Sequence, residues 1–331
     1  MKKLAWAKYC SLFLIFILSL YTGCEKKEKE VIRLNEVVRS IFYAPQYVAI
    51  EKGFFADEGL EIELDIGWGA DKSMTALVSN NADIALMGAE ASIYVYNQGK
   101  DDYIVNFALL TQRAGNFLVS REPEPDFKWE DVRGRSIIGG RPGGMPQMVL
   151  EYILKQNNIA PFEDVEILTN LQFTSTAGAF VGGIGDYTVE FEPAASAIEA
   201  EGAGYVVASL GTDSGKVPYT AYAATQTYMK KHPDRIQRFT NAIYKGLQWV
   251  SEHEPEEIAK VIQPHFEETD LDMITKIVKR YKEQDSWSIT PVFEKESLDL
   301  LQDVLEMSGE LDQRVPYEDL VNTDFARKAL K

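Results

Sequence analysis

VIRLNEVVRSIFYAPQYVAIEKGFFADEGLEIELDI, residues 31–66 of the chain, is the stretch whose reading decides the fold class. Val31–Val38 reads as a strand, and Glu61–Ile66 alternates charged and apolar residues, as strands do. Between them, Pro45–Glu58 places Tyr47, Val48, Ile50, Phe54 and Phe55 where one face of a helix can turn inward. The same alternation continues outward. Asp71–Ser79 reads as a helix, Ile84–Met87 as a short buried strand, Ala89–Gln98 as a helix and Ile104–Leu110 as a strand. Strand, helix, strand, helix predicts βαβ units and therefore an α/β fold, a mostly parallel sheet with helices on both faces.

A second block opens after the rigid charged spacer Glu122-Pro123-Glu124-Pro125. Ser136–Gly140 is strand-like and Met145–Asn157 is a helix with Met148, Val149, Tyr152 and Ile153 on one face. Val165–Leu168 reads as a strand, Ala177–Gly183 as a weak helix, and Tyr187–Phe191 and Val206–Leu210 as strands. Gly211–Pro218 is rich in turn residues, and from Thr220 the pattern is mainly helical through Leu330, punctuated by Pro233, Pro255, Pro264 and Pro291. One small α/β block set inside another implies two lobes joined by two crossings. Residues 31–118 with 214–331 are expected to form one lobe and 119–213 the other. Ligands of open α/β sheets bind beyond the carboxyl ends of the strands, and two such sheets facing each other make a cleft that closes by hinge motion.

The amino-terminal segment carries Lys2, Lys3 and Lys8 and then an apolar run of 13 residues, Ser11–Gly23. That is short of the ~20 residues that span a bilayer and fits a secretory signal over residues 1–23. Thr22-Gly23-Cys24 resembles the lipobox of bacterial lipoproteins, with Tyr21 standing where that pattern usually has Leu. The resemblance implies acylation of Cys24, with Glu25–Glu30 as a solvated tether behind it; the other reading is an ordinary secretion signal with an incidental cysteine. The net charge of −17 becomes −20 once three lysines and no acidic residue are removed. So acidic a surface is repelled by nucleic acid and by anionic lipid. Cys10 lies in the removed segment, which leaves the exported part no internal disulfide and no cysteine metal site.

Residues 44–60, APQYVAIEKGFFADEGL, resemble the opening of the type II periplasmic solute-binding family that serves ABC importers of nitrate, sulfonates, taurine and thiamine-pyrimidine precursors. Asn81-Ala82-Asp83-Ile84-Ala85 is similar to the family's third-strand segment, and Gly185–Pro193 to its second-lobe strand ending in Glu-Pro. Lys231–Phe239 is similar to its helix start after the return crossing, so the likeness runs in order over nearly all of residues 31–330. It implies the two-lobed periplasmic-binding-protein type II fold, each lobe a sheet flanked by helices with two hinge crossings. It also implies extracytoplasmic capture of a small molecule for a membrane permease and its ATPase.

Loops after each strand supply the candidate ligand residues. Arg39, Tyr43 and Gln46 follow the first strand, although Tyr43 can equally be core packing. Trp68, flanked by Gly67 and Gly69, offers an indole for stacking on a flat ligand. Glu90 follows the third strand where a helix opens. In the second block Gly139-Gly140-Arg141-Pro142-Gly143-Gly144 precedes a helix, so that Arg141 and the backbone N–H groups of Gly143 and Gly144 can hold a carboxylate or sulfonate. A flexible loop with a solvent-facing Arg141 is the other reading. Glu190 and Glu192 can accept from a ligand amine or ring N–H, or act as structural acceptors. His232, His253 and His265 fall in the helical carboxyl-terminal part, on what should be solvated surfaces. No catalytic residue, metal site or cofactor is expected, because no nucleophile elbow or metal-ligand spacing occurs. The ligand is expected to be a small flat or anionic organic solute, such as a sulfonate or pyrimidine. Two other outputs stay open on this fold: a biosynthetic enzyme resembling the thiamine-pyrimidine synthases, and a sensor lipoprotein without transport.

Overall fold

A computed structural model describes residues 29–331, apart from the side chain of Phe173. Cys24, the signal segment 1–23 and most of the tether lie outside the described residues. Two five-stranded mixed sheets carry the architecture. The first contains β1 (Glu30–Glu36), β2 (Leu60–Ile66), β3 (Ile84–Gly88), β4 (Ile104–Thr111) and β10 (Thr220–Thr225), in the order β2-β1-β3-β10-β4. The second contains β5 (Asn116–Ser120), β6 (Ser136–Ile138), β7 (Glu166–Leu168), β8 (Tyr187–Phe191) and β9 (Tyr205–Ser209), in the order β7-β6-β8-β5-β9. Strand burial follows position. β2 is an edge strand and alternates, with Glu61, Glu63 and Asp65 outward, whereas interior β3 is buried on both faces.

Parallel and antiparallel ladders are mixed; β1 and β2 pair in parallel from Glu30↔Leu60 to Glu36↔Ile66. In each sheet one strand runs against its neighbours, β10 in the first and β5 in the second. Each follows a crossing: β5 comes directly from β4, and β10 comes from the second block. β5 begins ahead of the boundary expected at 118–119 and pairs only within the second sheet.

The longer helices are α1 (Ala44–Glu51), α2 (Ala70–Val78), α3 (Glu90–Asn97), α4 (Met145–Gln156), α5 (Ala194–Ala200), α6 (Pro233–Glu252), α7 (Pro255–Ile262), α8 (Leu271–Glu283) and α9 (Lys295–Ser308). The helix predicted over Pro45–Glu58 is broken, because Gly53 turns left-handed at φ 75° and a separate turn, Phe54–Asp57, follows. Helix α6 buries Ile236, Phe239, Ile243, Leu247 and Val250, the spacing of one helical face, and packs on α1. Helix α9 packs on α4, so the carboxyl-terminal part touches both blocks.

The junction between the sheets is aromatic. Phe42 meets Tyr281, Tyr219 and Phe191 at ring-centroid distances of 5.1, 5.8 and 6.1 Å. Tyr281 donates to the Gly115 carbonyl at 2.9 Å, and Trp287 Nε1 donates to the Phe42 carbonyl at 2.8 Å. A Cβ at Gly115 would stand 2.7 Å from the Phe42 ring. Gly115→Ala should therefore force the ring out of its cluster and cost about 1–3 kcal/mol, read as a lowered urea midpoint with an unchanged slope.

Candidate functional site

The loops at the carboxyl ends of the parallel strands meet between the sheets. Val37 and Val38 follow β1, Gly69 and Ala70 follow β2, and Glu90 follows β3; from the other side come Gly140, Arg141 and Gly144–Pro146 after β6 and Phe191 at the end of β8. Together they line a cavity of about 110 Å³, which Tyr219 and Thr220 at the start of β10 close from the first sheet. Ala70, Glu90, Arg141 and Gly144 also line a second, wider space of about 710 Å³. Polar contacts bridge the two sides: Tyr94 Oη donates to the Gly143 carbonyl at 3.0 Å, Arg141 Nη2 pairs with Asp71 Oδ1 at 3.2 Å, and Ser40 Oγ donates to the Glu192 carbonyl at 3.1 Å.

Carboxylates dominate the electrostatics. Glu90 begins α3 with 3% of its surface exposed, and its Oε2 has no hydrogen-bond partner. Burial pushes its carboxyl up to about 8. Room for it exists because Gly88 has no side chain; a Cβ there would lie 2.1 Å from Glu90 Oε2. The Glu90 charge raises the hydroxyls of Tyr43, Tyr94 and Tyr219, adding to the larger effect of their own burial. Glu190 accepts from Thr188 at 2.7 Å and Thr176 at 3.1 Å, and burial pushes it up to about 7.

The expected ligand residues separate into three groups. Tyr43, Glu90, Arg141 and Gly144 line the inner cavity, and Gly143 lines the wider space. Arg39, Glu190 and Glu192 border a separate recess of about 190 Å³ beside the inner cavity. There Glu192 is fully engaged, by Arg280 at 2.5 Å and by the backbone and hydroxyl of Ser196 at 2.9 Å each. Arg39 and Gln46 serve a third carboxylate, Glu36, each at 2.7 Å, alongside Tyr47 at 2.9 Å. Burial is the main cause that raises Glu36 to about 7. Trp68 has φ 59°, is half exposed and lines neither cavity. His265 is not on a solvated surface. It stacks on Tyr47 at 4.6 Å and bonds Glu51 at 2.8 Å and Arg39 at 3.3 Å.

Sequence reasoning missed Tyr219, Thr220, Thr176, Phe191 and Tyr94. Tyr219 precedes and Thr220 starts a strand whose sequence, Thr-Ala-Tyr-Ala-Ala-Thr, has neither period nor β-branched apolar residues. Tyr94 had a readable signal, since it lies four residues after Glu90 on the same helical face.

The sequence profile of the family described as NMT1/THI5 like matches residues 41–258. The chain belongs to the NMT1/THI5-like family. A Bacillus subtilis (strain 168) protein named "Putative binding protein YtlA" is 46% identical over 327 residues, covering 98% of this chain and 97% of that protein. Among solved structures, the ligand-binding component of an ABC-type import system from Staphylococcus aureus, with zinc bound, superposes with a TM-score of 0.74 at 15% identity, covering 91% of this chain and 99% of its own. The Escherichia coli periplasmic aliphatic sulphonate binding protein SsuA does so at 0.69 and 18% identity, covering 88% and 96%. The nitrate-binding protein NrtA from Synechocystis PCC 6803 gives 0.71 at 17% identity, covering 91% and 88%. At such identities the shared property is the fold. This NMT1/THI5-like chain has the type II periplasmic-binding-protein architecture expected from its sequence.

The raised carboxyls set a pH dependence. Each holds its proton when folded at pH values where the unfolded chain has lost it, so their stabilisation is full below about 4.5. It is lost as pH rises through about 7 for Glu36 and Glu190 and about 8 for Glu90. Glu90→Gln should remove the highest of these steps. Urea denaturation at pH 9 should show the variant more stable than wild type by on the order of 3 kcal/mol, with the difference shrinking toward pH 5.

Proposed function

We propose that this chain is the extracytoplasmic substrate-binding component of an ABC importer and holds a small, flat organic solute between two lobes, 31–118 with 214–331 and 119–213. The observation that carries this reading is the inner cavity, whose walls come in comparable measure from both sheets. A solute held there touches both lobes only when they are closed, so its binding energy favours closure; a solute touching one lobe could not shift that equilibrium. Tyr94–Gly143 and Arg141–Asp71 are polar contacts made across the gap that such closure would keep. Membership of the NMT1/THI5-like family and close similarity to a protein named as a binding protein support capture as the activity, with a permease and its ATPase as partners.

The same reading places the protein at the outer face of the cell membrane, anchored through Cys24. Among the described residues no helix is long and apolar enough to cross a membrane. One acyl chain holds a protein only marginally, whereas lipoprotein modification adds several. Residues 24–30 then act as the tether that lets the binder reach its permease.

Two measurements test these proposals. In a thermal-shift screen of pyrimidines, flavins, sulfonates and nitrate, at least one class should raise the melting temperature, and Arg141→Ala should weaken that ligand by about tenfold. A melting temperature unmoved by every class would remove the solute-binding reading. Cys24→Ser should move the protein from the membrane to the soluble fraction; retention at the membrane would assign anchoring to the apolar run instead.

A further inference from the structure

Among the described residues, Glu90 is the buried carboxylate with an oxygen left unpaired. Glu36 and Glu192 each receive three or more hydrogen bonds, and Glu190 receives two. Glu90 Oε2 receives none, although the residue is almost wholly buried and lines both spaces of the cleft. Buried polar atoms in folded proteins nearly always have partners, and the cost of leaving one unpaired is a few kcal/mol. A group kept unpaired at the wall of a cavity has its partner in whatever fills that cavity.

The surroundings narrow the chemistry of that partner. Arg141 is the one cation among the inner-cavity lining residues, and it is turned onto Asp71 with its side chain about a third exposed. None of the described arginines or lysines forms an ion pair with Glu90, and no cation contributes to its titration. The remaining walls are aromatic or aliphatic, with Tyr43, Tyr219, Phe191, Val38 and Met145 among them. The inner space is of the order that takes one aromatic ring, given that an engineered cavity of ~150 Å³ binds benzene. A sulfonate or nitrate buried against Glu90 would meet its carboxyl and apolar rings, with Arg141, already paired with Asp71, as the one lining cation, an arrangement less favourable than a donor facing Glu90.

Resting on the binding role proposed above, we propose that Glu90 is the specificity-determining acceptor of the cleft, and that its ligand is a planar nitrogen compound presenting an N–H donor to Glu90 Oε2. An aminoheterocycle or an amidine has that edge. Its ring lies against Tyr43, Tyr219 and Phe191, and the rest of the solute extends past Arg141 and Gly143 into the wider space. The carboxyl matches such an edge in either protonation state. Ionised, it accepts from the N–H; protonated, its hydroxyl donates to an adjacent ring nitrogen while its carbonyl accepts. Sulfonates and nitrate, the cargo in the names of two structural neighbours, are excluded on this reading.

The test uses the full chain with 2-aminopyrimidine and benzamidine as nitrogen donors, and benzenesulfonate and nitrate as anions. The donors should raise the melting temperature and titrate by calorimetry, and the anions should not. In Glu90→Gln, whose fold is checked by its own unfolding transition, donor affinity should fall about 10-fold or more. Glu90→Asp, which keeps the carboxyl but shortens its reach, should fall between Gln and wild type. If an anion binds and the donors do not, or if the donors bind Glu90→Gln as tightly as wild type, the assignment of Glu90 is overturned while the binding role stands. If none of the four probes binds, the assignment of Glu90 falls, and the binding role falls with it only when the wider screen of pyrimidines, flavins, sulfonates and nitrate also leaves the melting temperature unmoved.

Discussion

The contact between the Phe42 ring and the backbone of Gly115 is the constraint on which the rest of the molecule depends. Gly115 sits in the first crossing between the sheets, and the ring approaches it more closely than any Cβ would permit. Phe42 itself is anchored by its stacking partners and by Trp287, while Tyr281 holds the Gly115 carbonyl. Helix α8 thus clasps the crossing from outside. It reaches further through Arg280, which pairs with Glu192 and Glu199 of the second block. With the crossing held at this spacing, the carboxyl ends of β1, β3, β6 and β8 face one another, and a cavity between them follows from the topology.

Buried carboxylates mark the difference between scaffold and site. At Glu36 and Glu192 the donors come from fixed neighbours, so each pays its desolvation with hydrogen bonds that also lock the junction. At Glu90 the neighbours supply burial without donors. A chain optimised only for stability would place Gln or an apolar residue there, and local rules that fail at one position usually fail for a functional reason. The tyrosine hydroxyls raised by its charge belong to three elements: the turn after β1, helix α3 itself and the start of β10. Glu90 therefore feels the closure of the whole cleft rather than one local turn.

Much of the fold was legible because its parallel strands announce themselves. β3 is a short apolar run bounded by turn residues, β8 lies between Gly185-Asp186 and Glu192-Pro193, and the apolar residues of α4 recur at helical spacing. β5 and β10 escaped notice for a shared reason. Each is the strand laid antiparallel after a crossing, so its place is set by tertiary pairing and not by a period in its own residues. The site was legible to the extent that strand-end loops are. Tyr43, Glu90 and Arg141 came from that rule alone. Sequence position could not separate Glu190 from Glu192, two residues apart on one strand end, because only packing against α8 shows which of them Arg280 takes.

The strongly acidic surface and the chemistry of the cleft turn out to be separate matters joined at a single residue. In a chain of net charge −17, the Arg141 loop looked like the place where an anion could be held. Its guanidinium instead reaches across the gap to Asp71, so its charge serves the contact between lobes. An anionic solute drawn to Arg141 would share that guanidinium with Asp71 and bring a like charge toward Glu90. A donor-bearing solute makes no such demand. It satisfies the one unpaired acceptor inside and leaves Arg141–Asp71 intact, so ligand binding and lobe closure add instead of opposing each other.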